Sequence, residues 1–225
     1  MPDLRPSPLY VASKVMTRVR ARGPGELASL AWSRLKEVIS SHDSLIVFAR
    51  DAVEEPAALN GYELREAQPE EGPAYARDVG TDSPWTFRGR LTENTRCFVV
   101  VHQGRFVHAT WMTARAAWTR EIRRYLLPPA GDAYVYESFT HPSVRGRGVY
   151  PFALRGIAAA LSRRGLKRVW VAVEEHNPPS LKAVEKAGFA PVWEISYRRR
   201  LGALRLEAAP NPPQPVPALS RTLEH

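Results

Sequence analysis

A single cysteine in 225 residues excludes an internal disulfide and a cysteine-ligated zinc site. That residue, Cys97, lies in the run Cys97-Phe98-Val99-Val100-Val101. A strand-like run of this kind buries its thiol as an inert core group rather than exposing a nucleophile. No apolar run approaches the ~18 residues that a membrane span requires. The basic N-terminal residues Lys14, Arg18, Arg20 and Arg22 are followed by no apolar block, so no secretory signal is read. Together these absences fit a reducing cytoplasm and give no membrane partner. No internal repeat is found. Acidic residues are in deficit, 23 against 32 Lys and Arg, which leaves a net charge of +9. Such a balance attracts polyanions: nucleic acid, an acidic membrane or a phosphorylated cofactor. The basic residues are scattered apart from Arg198-Arg199-Arg200 and groups near residues 18–22, 120–124 and 163–168. Scatter reads as solvated helix faces, so specific nucleic-acid binding is not expected.

The remaining composition, 44% hydrophobic and 24% charged, is that of a globular protein with a sizeable core. Residues 1–9 carry three prolines and are expected to be loose. Residues 25–40 space their apolar groups as an amphipathic helix does, and residues 44–49 read as a short buried strand. From Gly61 the pattern becomes regular. Tyr62-Glu63-Leu64-Arg65-Glu66-Ala67 alternates like a strand, and the acidic segment after it is expected to open a helix. Residues 96–102 and 105–112 are β-forming runs around Gln103-Gly104, a hairpin signal. Residues 118–126 read as a short helix ended by Pro128-Pro129, and residues 133–141 as a strong strand. A helix over residues 150–164 closed by Gly165, then a strand over 167–174, make a strand–helix–strand unit with parallel strands. A second helix over residues 179–187 ends at Gly188, and a further strand spans 192–200. The tail has five prolines among residues 208–219 and is expected to be extended or disordered. The terminal Leu223-Glu224-His225 reads as a tag remnant.

The most informative stretch is His141-Pro142-Ser143-Val144-Arg145-Gly146-Arg147-Gly148-Val149-Tyr150, between an expected strand and an expected helix. Glycines at 146 and 148 let the backbone turn tightly and approach a ligand closely. First-turn N–H groups and the positive end of the helix dipole favour an anion there. Arg145 and Arg147 add full charges able to meet phosphates. No Lys-Ser/Thr pair follows the second glycine, as a nucleotide-triphosphate loop would have, and no third glycine completes a dinucleotide fingerprint.

With Pro142, Arg145 and Gly148 in that order, the stretch resembles the Arg/Gln-x-x-Gly-x-Gly/Ala turn of the GNAT superfamily of acyl-coenzyme A-dependent N-acyltransferases. Tyr150 replaces the usual small residue, as it does in some branches. Two further motifs resemble that family: Val171-Ala172-Val173-Glu174-Glu175-His176-Asn177, a strand ending in asparagine, and Ser180-Leu181-Lys182-Ala183-Val184-Glu185-Lys186-Ala187-Gly188-Phe189. The resemblance covers roughly residues 61–200. It implies an α/β (α+β) fold, a mixed central sheet with splayed parallel strands flanked by helices. The expected division is an N-terminal helical and strand extension over residues 1–60, the acyltransferase domain over 61–205, and a Pro-rich tail with the tag remnant over 206–225.

The resemblance also implies a site. The pantetheine arm of acetyl-coenzyme A would lie between Phe139-Thr140-His141 and Val171-Ala172-Val173, with the amides of Val144, Arg145, Gly146, Arg147, Gly148, Val149 and Tyr150 holding the pyrophosphate. Asn177 and Ser180 would contact the cofactor near the thioester end. Acylating an amine needs a base, and Glu137 and His141, four apart on one strand, share a face if no bulge intervenes. Many relatives carry a tyrosine acid where this chain has Val184, so either the thiolate leaves unaided or another group, such as Tyr150, assists it. Trp111, Trp118, Tyr125, Tyr134 and Tyr136 either line an acceptor pocket or pack the core. No metal is implied. The expected activity is acetyl transfer from acetyl-coenzyme A to the primary amine of a small molecule, an amino sugar or amino-acid-like amine, with the first sixty residues either covering the acceptor cleft or making a homodimer contact. A longer-chain acyltransferase fed by coenzyme A or a carrier protein, and a non-catalytic acyl-coenzyme A-binding module, stay open.

Overall fold

Gln103-Gly104 turns the chain back as expected, with both residues at positive φ, 51° and 73°, the pair of values a two-residue hairpin turn demands. It joins β3 (Thr95–His102) to β4 (Arg105–Thr113). The structure is a computed structural model and describes residues 16, 40–53, 58–200 and 203–211. The helix expected over residues 25–40 lies, apart from Ser40, outside the described residues.

Ten strands and four α-helices follow one another among the described residues. The first strand, β1 (Ser40–Asp51), is longer than the apolar run that announced it, because both of its edges are paired. It runs antiparallel to β8 (Arg168–Glu174) on one side and to β9 (Ala190–Arg200) on the other. Flanking polar residues such as His42, Asp43 and Asp51 are therefore carried in the ladders as well. A segment that precedes Gly61 in sequence thus lies inside the main sheet. The full order is β10-β9-β1-β8-β7-β4-β3-β2, with β2 (Glu63–Glu66), β7 (Ala133–Thr140) and β10 (Ala203–Pro210) completing it. Only β7 and β8 are parallel, as their helical crossover requires.

That crossover is α3 (Val149–Ser162), whose buried residues include Phe152, Leu154, Ile157 and Leu161. With α4 (Pro178–Lys186) it covers one sheet face, over Val135, Val169, Val171 and Val173. Each large apolar side chain buried this way stabilises the fold by about 1.5–3 kcal/mol. Helices α1 (Gly72–Asp78) and α2 (Pro84–Arg90) pack Tyr75 and Phe87 against Cys97 and Trp111 near the opposite end of the sheet. α2 begins at Ser83-Pro84, a helix-start signal in a segment whose apolar spacing is too short to announce a helix. Ser83 Oγ accepts the Thr86 N–H at 3.1 Å.

Residues 118–126, expected to be helical, form a small separate hairpin instead: β5 (Ala117–Thr119) and β6 (Arg124–Leu126). Arg123 adopts φ 49° in its turn, and Trp118 meets Tyr125 across the strands with ring centroids 5.1 Å apart. The error has a physical source. Trp118, Ile122 and Leu126 are four apart, a helical spacing, but Ile122 is buried from the turn itself. The hairpin covers the sheet face opposite α3, in a cluster with Tyr134, Trp170, Ile195 and Tyr197.

Candidate active site

β7 and β8 pair over three rungs only, Ala133↔Val169, Tyr134↔Trp170 and Val135↔Val171. Beyond them β8 continues along β1 as far as Glu174, and β7 continues along β4 as far as Thr140. A wedge opens in the middle of the sheet, walled by Tyr136 to Thr140 on one side and by Ala172 to Glu174 on the other. The cause lies in β7. Between Ala109↔Phe139 and Trp111↔Tyr136, two β7 residues oppose the single Thr110, and Glu137 adopts φ 49°. A bulge of this kind bends and overtwists its strand, which here swings β7 away from β8. The condition set for Glu137 and His141 to share a face is therefore not met: a bulge does intervene.

The glycine turn lies at the end of β7. His141 caps a 3-10 turn (Pro142–Val144), its Nδ1 accepting the Ser143 N–H at 3.3 Å. Gly146 and Gly148 adopt φ 78° and 77°, values that L side chains rarely adopt, and beyond the adjoining backbone nothing lies within 4 Å of where a Cβ would stand on either. Gly148 caps α3 with no side-chain hydrogen bond, and the helical ladder begins only when Phe152 N–H donates to Gly148 O at 3.1 Å. First-turn amides without side-chain acceptors, beneath open space, form an anion site by the helix dipole. Arg147 is exposed, and Arg145 Nε donates to Thr140 O at 3.1 Å, tying the turn to the strand end. Asn177 and Ser180 begin α4, where Asn177 Oδ1 accepts the Ser180 N–H at 3.3 Å. The structure thus brings the glycine turn, Thr140 and Tyr150 together, with Asn177 and Ser180 just beyond the end of β8.

Beneath the turn lies a polar network that the sequence reading did not single out. His108, fully buried, shares a hydrogen bond with Thr140 Oγ1 at 2.8 Å, and its Nε2 has no hydrogen-bond partner. Thr110 and Ser138 hydroxyls lie 2.5 Å apart, and Tyr150 bonds to Ser138. The His108 and Tyr150 rings are 5.3 Å apart. Burial pushes the His108 imidazole down to about 3, so it is neutral at physiological pH. Burial also raises the Tyr150 phenol, partly offset by its bond to Ser138, so that hydroxyl stays protonated. A histidine between Val107 and Ala109, in a strand buried over all but its first residue, was the one available signal. Cys97 is fully buried and its thiol is pushed well above the usual range by burial, as expected of an inert core group.

The opposite mouth of the wedge carries the carboxylates. Val169, Val171 and Val173 face α3, and Trp170 and Ala172 face the hairpin; the alternation puts Glu174 on the hairpin side. Glu137 carries its own permanent cation: Arg90 Nη1 lies 2.8 Å from Glu137 Oε2 and 2.6 Å from buried Asp82. The Arg90 guanidinium also stacks over the Trp111 ring at 3.9 Å. Of the aromatic candidates, Trp111 and Tyr134 are core, Trp111 donating to Tyr75 Oη at 2.9 Å. Trp118, Tyr125 and Tyr136 are only partly buried on the hairpin side.

A mixed sheet split between its two parallel strands, with an uncapped helix start at the split, has room for an extended arm beside a site suited to an anion. The acetyltransferase (GNAT) family model matches residues 61–189, and the chain belongs to that family. Among solved structures the chain is similar to a GCN5-related N-acetyltransferase from Sphaerobacter thermophilus, at 16% identity and a TM-score of 0.54 over 78% of this chain and 57% of that one. It is also similar to a GNAT-family protein from Novosphingobium aromaticivorans, at 16% identity and a TM-score of 0.51 over 69% of this chain and 63% of that one. At such identities the likeness is one of fold. No curated protein matches the sequence significantly. No helix among the described residues is long and apolar enough to cross a membrane.

Proposed function

We propose that the protein transfers an acetyl group from acetyl-coenzyme A to the primary amine of a small molecule, an amino sugar or an amino-acid-like amine, in the cytoplasm. The observation that carries this reading is the three-rung β7–β8 ladder opening toward the uncapped start of α3. The residues present fit coenzyme A. The amides around Gly146, Gly148, Val149 and Tyr150 cradle a pyrophosphate, Arg145 and Arg147 supply charge, and the diverging edges at Phe139 and Thr140 accept an amide-bearing arm as a strand would be accepted. Asn177 and Ser180 close the far side. Bound acetyl-coenzyme A supplies a thioester carbonyl open to attack and a thiolate leaving group of free-thiol pKa ~8.5.

Tyr150, a raised phenol, serves as a hydrogen-bond donor to the developing thiolate rather than as an acid that gives its proton away, since its pKa exceeds that of the thiol. Ser138 and Thr110 fix its direction. Glu137, with Arg90 attached, is suited to orient a polar group of the acceptor. His141, committed to Ser143, serves the shape of the turn. Acetyl-coenzyme A should raise the melting temperature, and thiol release should depend on an added amine. No shift at millimolar acetyl-coenzyme A overturns the reading, and faster release from longer thioesters replaces acetyl with a longer acyl group.

A further inference from the structure

Resting on the acyl-transfer reading, we propose that Glu174 receives the acceptor's ammonium group and takes its proton, positioned by Tyr197 and by the Asp43–His176 pair. Three features of the wedge single it out. The first is place. Glu174 ends the β8 wall, on the face opposite the phosphate-binding turn, so an amine entering from the hairpin side meets it before reaching the middle of the sheet. The second is construction. Tyr197 Oη donates to Glu174 Oε1 at 3.2 Å and lies 3.4 Å from Asp43 Oδ2. His176 Nδ1 bonds directly to Asp43 Oδ2, and its Nε2 lies 4.0 Å from Glu174 Oε2. Four elements, β1, β8, β9 and the turn after β8, thus hold one carboxylate. Tyr197 is nearly fully buried.

The third feature is the sign and permanence of the neighbouring charge. Facing Glu174 are Glu121 and Arg120 from the hairpin turn, Asp43 from β1, His176 and Tyr197. Asp43, Glu121 and Glu174 outnumber Arg120, the single permanent cation of that set, so an incoming ammonium is attracted. Glu137, by contrast, shares a partly buried guanidinium whose charge never leaves. A carboxylate already held in a permanent ion pair has less attraction left for a second cation. Glu174 has its basicity raised, mainly by half-burial and then by Glu121, with His176, Tyr197 and Arg120 opposing. Glu174 can therefore hold a proton nearer neutrality than an ordinary glutamate.

The step balances. One N–H proton passes from the ammonium to the Glu174 carboxylate, freeing the nitrogen lone pair. That pair forms the bond to the acyl carbon as the C–S bond breaks and its electrons leave on sulfur. The second N–H proton ends on the thiolate, beside the Tyr150 hydroxyl. Glu174 then releases its proton to solvent, so one proton is liberated per turnover.

The test is thiol release by the full chain with acetyl-coenzyme A and a panel of glucosamine, L-lysine, spermidine and tyramine, with acetyl-coenzyme A thermal shifts in parallel. Glu174→Gln should keep the cofactor-induced shift, lower kcat by about 100-fold, in the range of general-base removal, and erase the acidic limb of the pH profile. Tyr197→Phe, which removes a donor to the carboxylate, should move that limb to higher pH. Glu137→Gln should retain the limb. A wild-type protein that shows no shift, or no turnover with any amine, overturns the acyl-transfer reading and this inference with it. Turnover in the wild type with an unchanged limb in Glu174→Gln overturns this inference alone, and loss of the limb in Glu137→Gln transfers the role to Glu137.

Discussion

The two walls of the wedge leave the same three-rung ladder and diverge for different reasons. β8 stays regular, pinned along β1 to its last residue, while β7 breaks at Glu137 and resumes its pairing with β4 one residue out of step. The regular wall presents a carboxylate that Tyr197, His176 and Arg120 surround together with the acidic Asp43 and Glu121, and the broken wall one fixed to a guanidinium. A sheet that divides this way offers three things at one opening: a groove wide enough for an extended arm, a helix start suited to an anion and a carboxylate on the opposite face. Backbone irregularity on one side and regularity on the other carry those tasks separately, so substitutions can break them one at a time.

The largest effect belongs to the turn that both walls serve. Gly148→Trp puts an indole into open space where φ is 77°. It should lower acetyl-coenzyme A affinity at least ~1000-fold, equivalent to about 4 kcal/mol. Loss of the cofactor-induced melting shift, with a folded far-UV spectrum retained, is the readout. Next comes the charge behind the broken wall. Arg90→Met leaves the fully buried side chain of Asp82 without its guanidinium partner, and urea unfolding should report a loss of about 3 kcal/mol. A comparable substitution of exposed Arg147 should leave stability within ~0.5 kcal/mol.

How much of this was legible in the sequence follows from the range of each signal. Gln103-Gly104 announces its hairpin because two adjacent residues fix both dihedrals, and Gly146 and Gly148 announce their turn for the same reason. The crossover helix and its parallel strands are legible from apolar periodicity alone. β1 is only half legible: its polar ends pair because β8 and β9 flank it, a long-range fact that no local window contains. The bulge was invisible, because Tyr136-Glu137-Ser138 carries no glycine or asparagine to mark a left-handed residue. Glu174 lies within the Val171–Asn177 motif, yet its partners come from residues 43 and 197, more than twenty positions away in either direction.

The buried network under the turn offers a pH-dependent measure of the same architecture. The folded His108 pKa, about 3, lies below the unfolded value of ~6.5, so between these limits the unfolded chain binds the extra proton. Its contribution is fully present above pH ~6.5 and is lost as pH falls through that window, at up to ~1.4 kcal/mol per pH unit. His108→Gln, with no such proton to gain, should show a shallower loss of stability between pH 6 and pH 4 by urea denaturation. An identical slope in both proteins means that His108 is hydrated and titrates normally.

The smallest effect is the most direct probe of why the walls differ. Glu137 holds a left-handed conformation without being glycine, a strain of order 1 kcal/mol that the β4 pairing on either side must sustain. Asparagine tolerates that conformation, whereas a β-branched residue resists it. Both substitutions remove the exposed Arg90 contact equally, so the difference between them isolates the backbone. Glu137→Val should be about 1–2 kcal/mol less stable than Glu137→Asn, and should also give a smaller melting shift with acetyl-coenzyme A. A flattened bulge would return β7 toward β8 and narrow the groove, coupling the strain at one residue to binding several residues away. Equal stability and equal shifts in the two variants would mean that the wedge is held open by the helix and the β1 and β4 ladders alone, with the bulge a consequence rather than the cause.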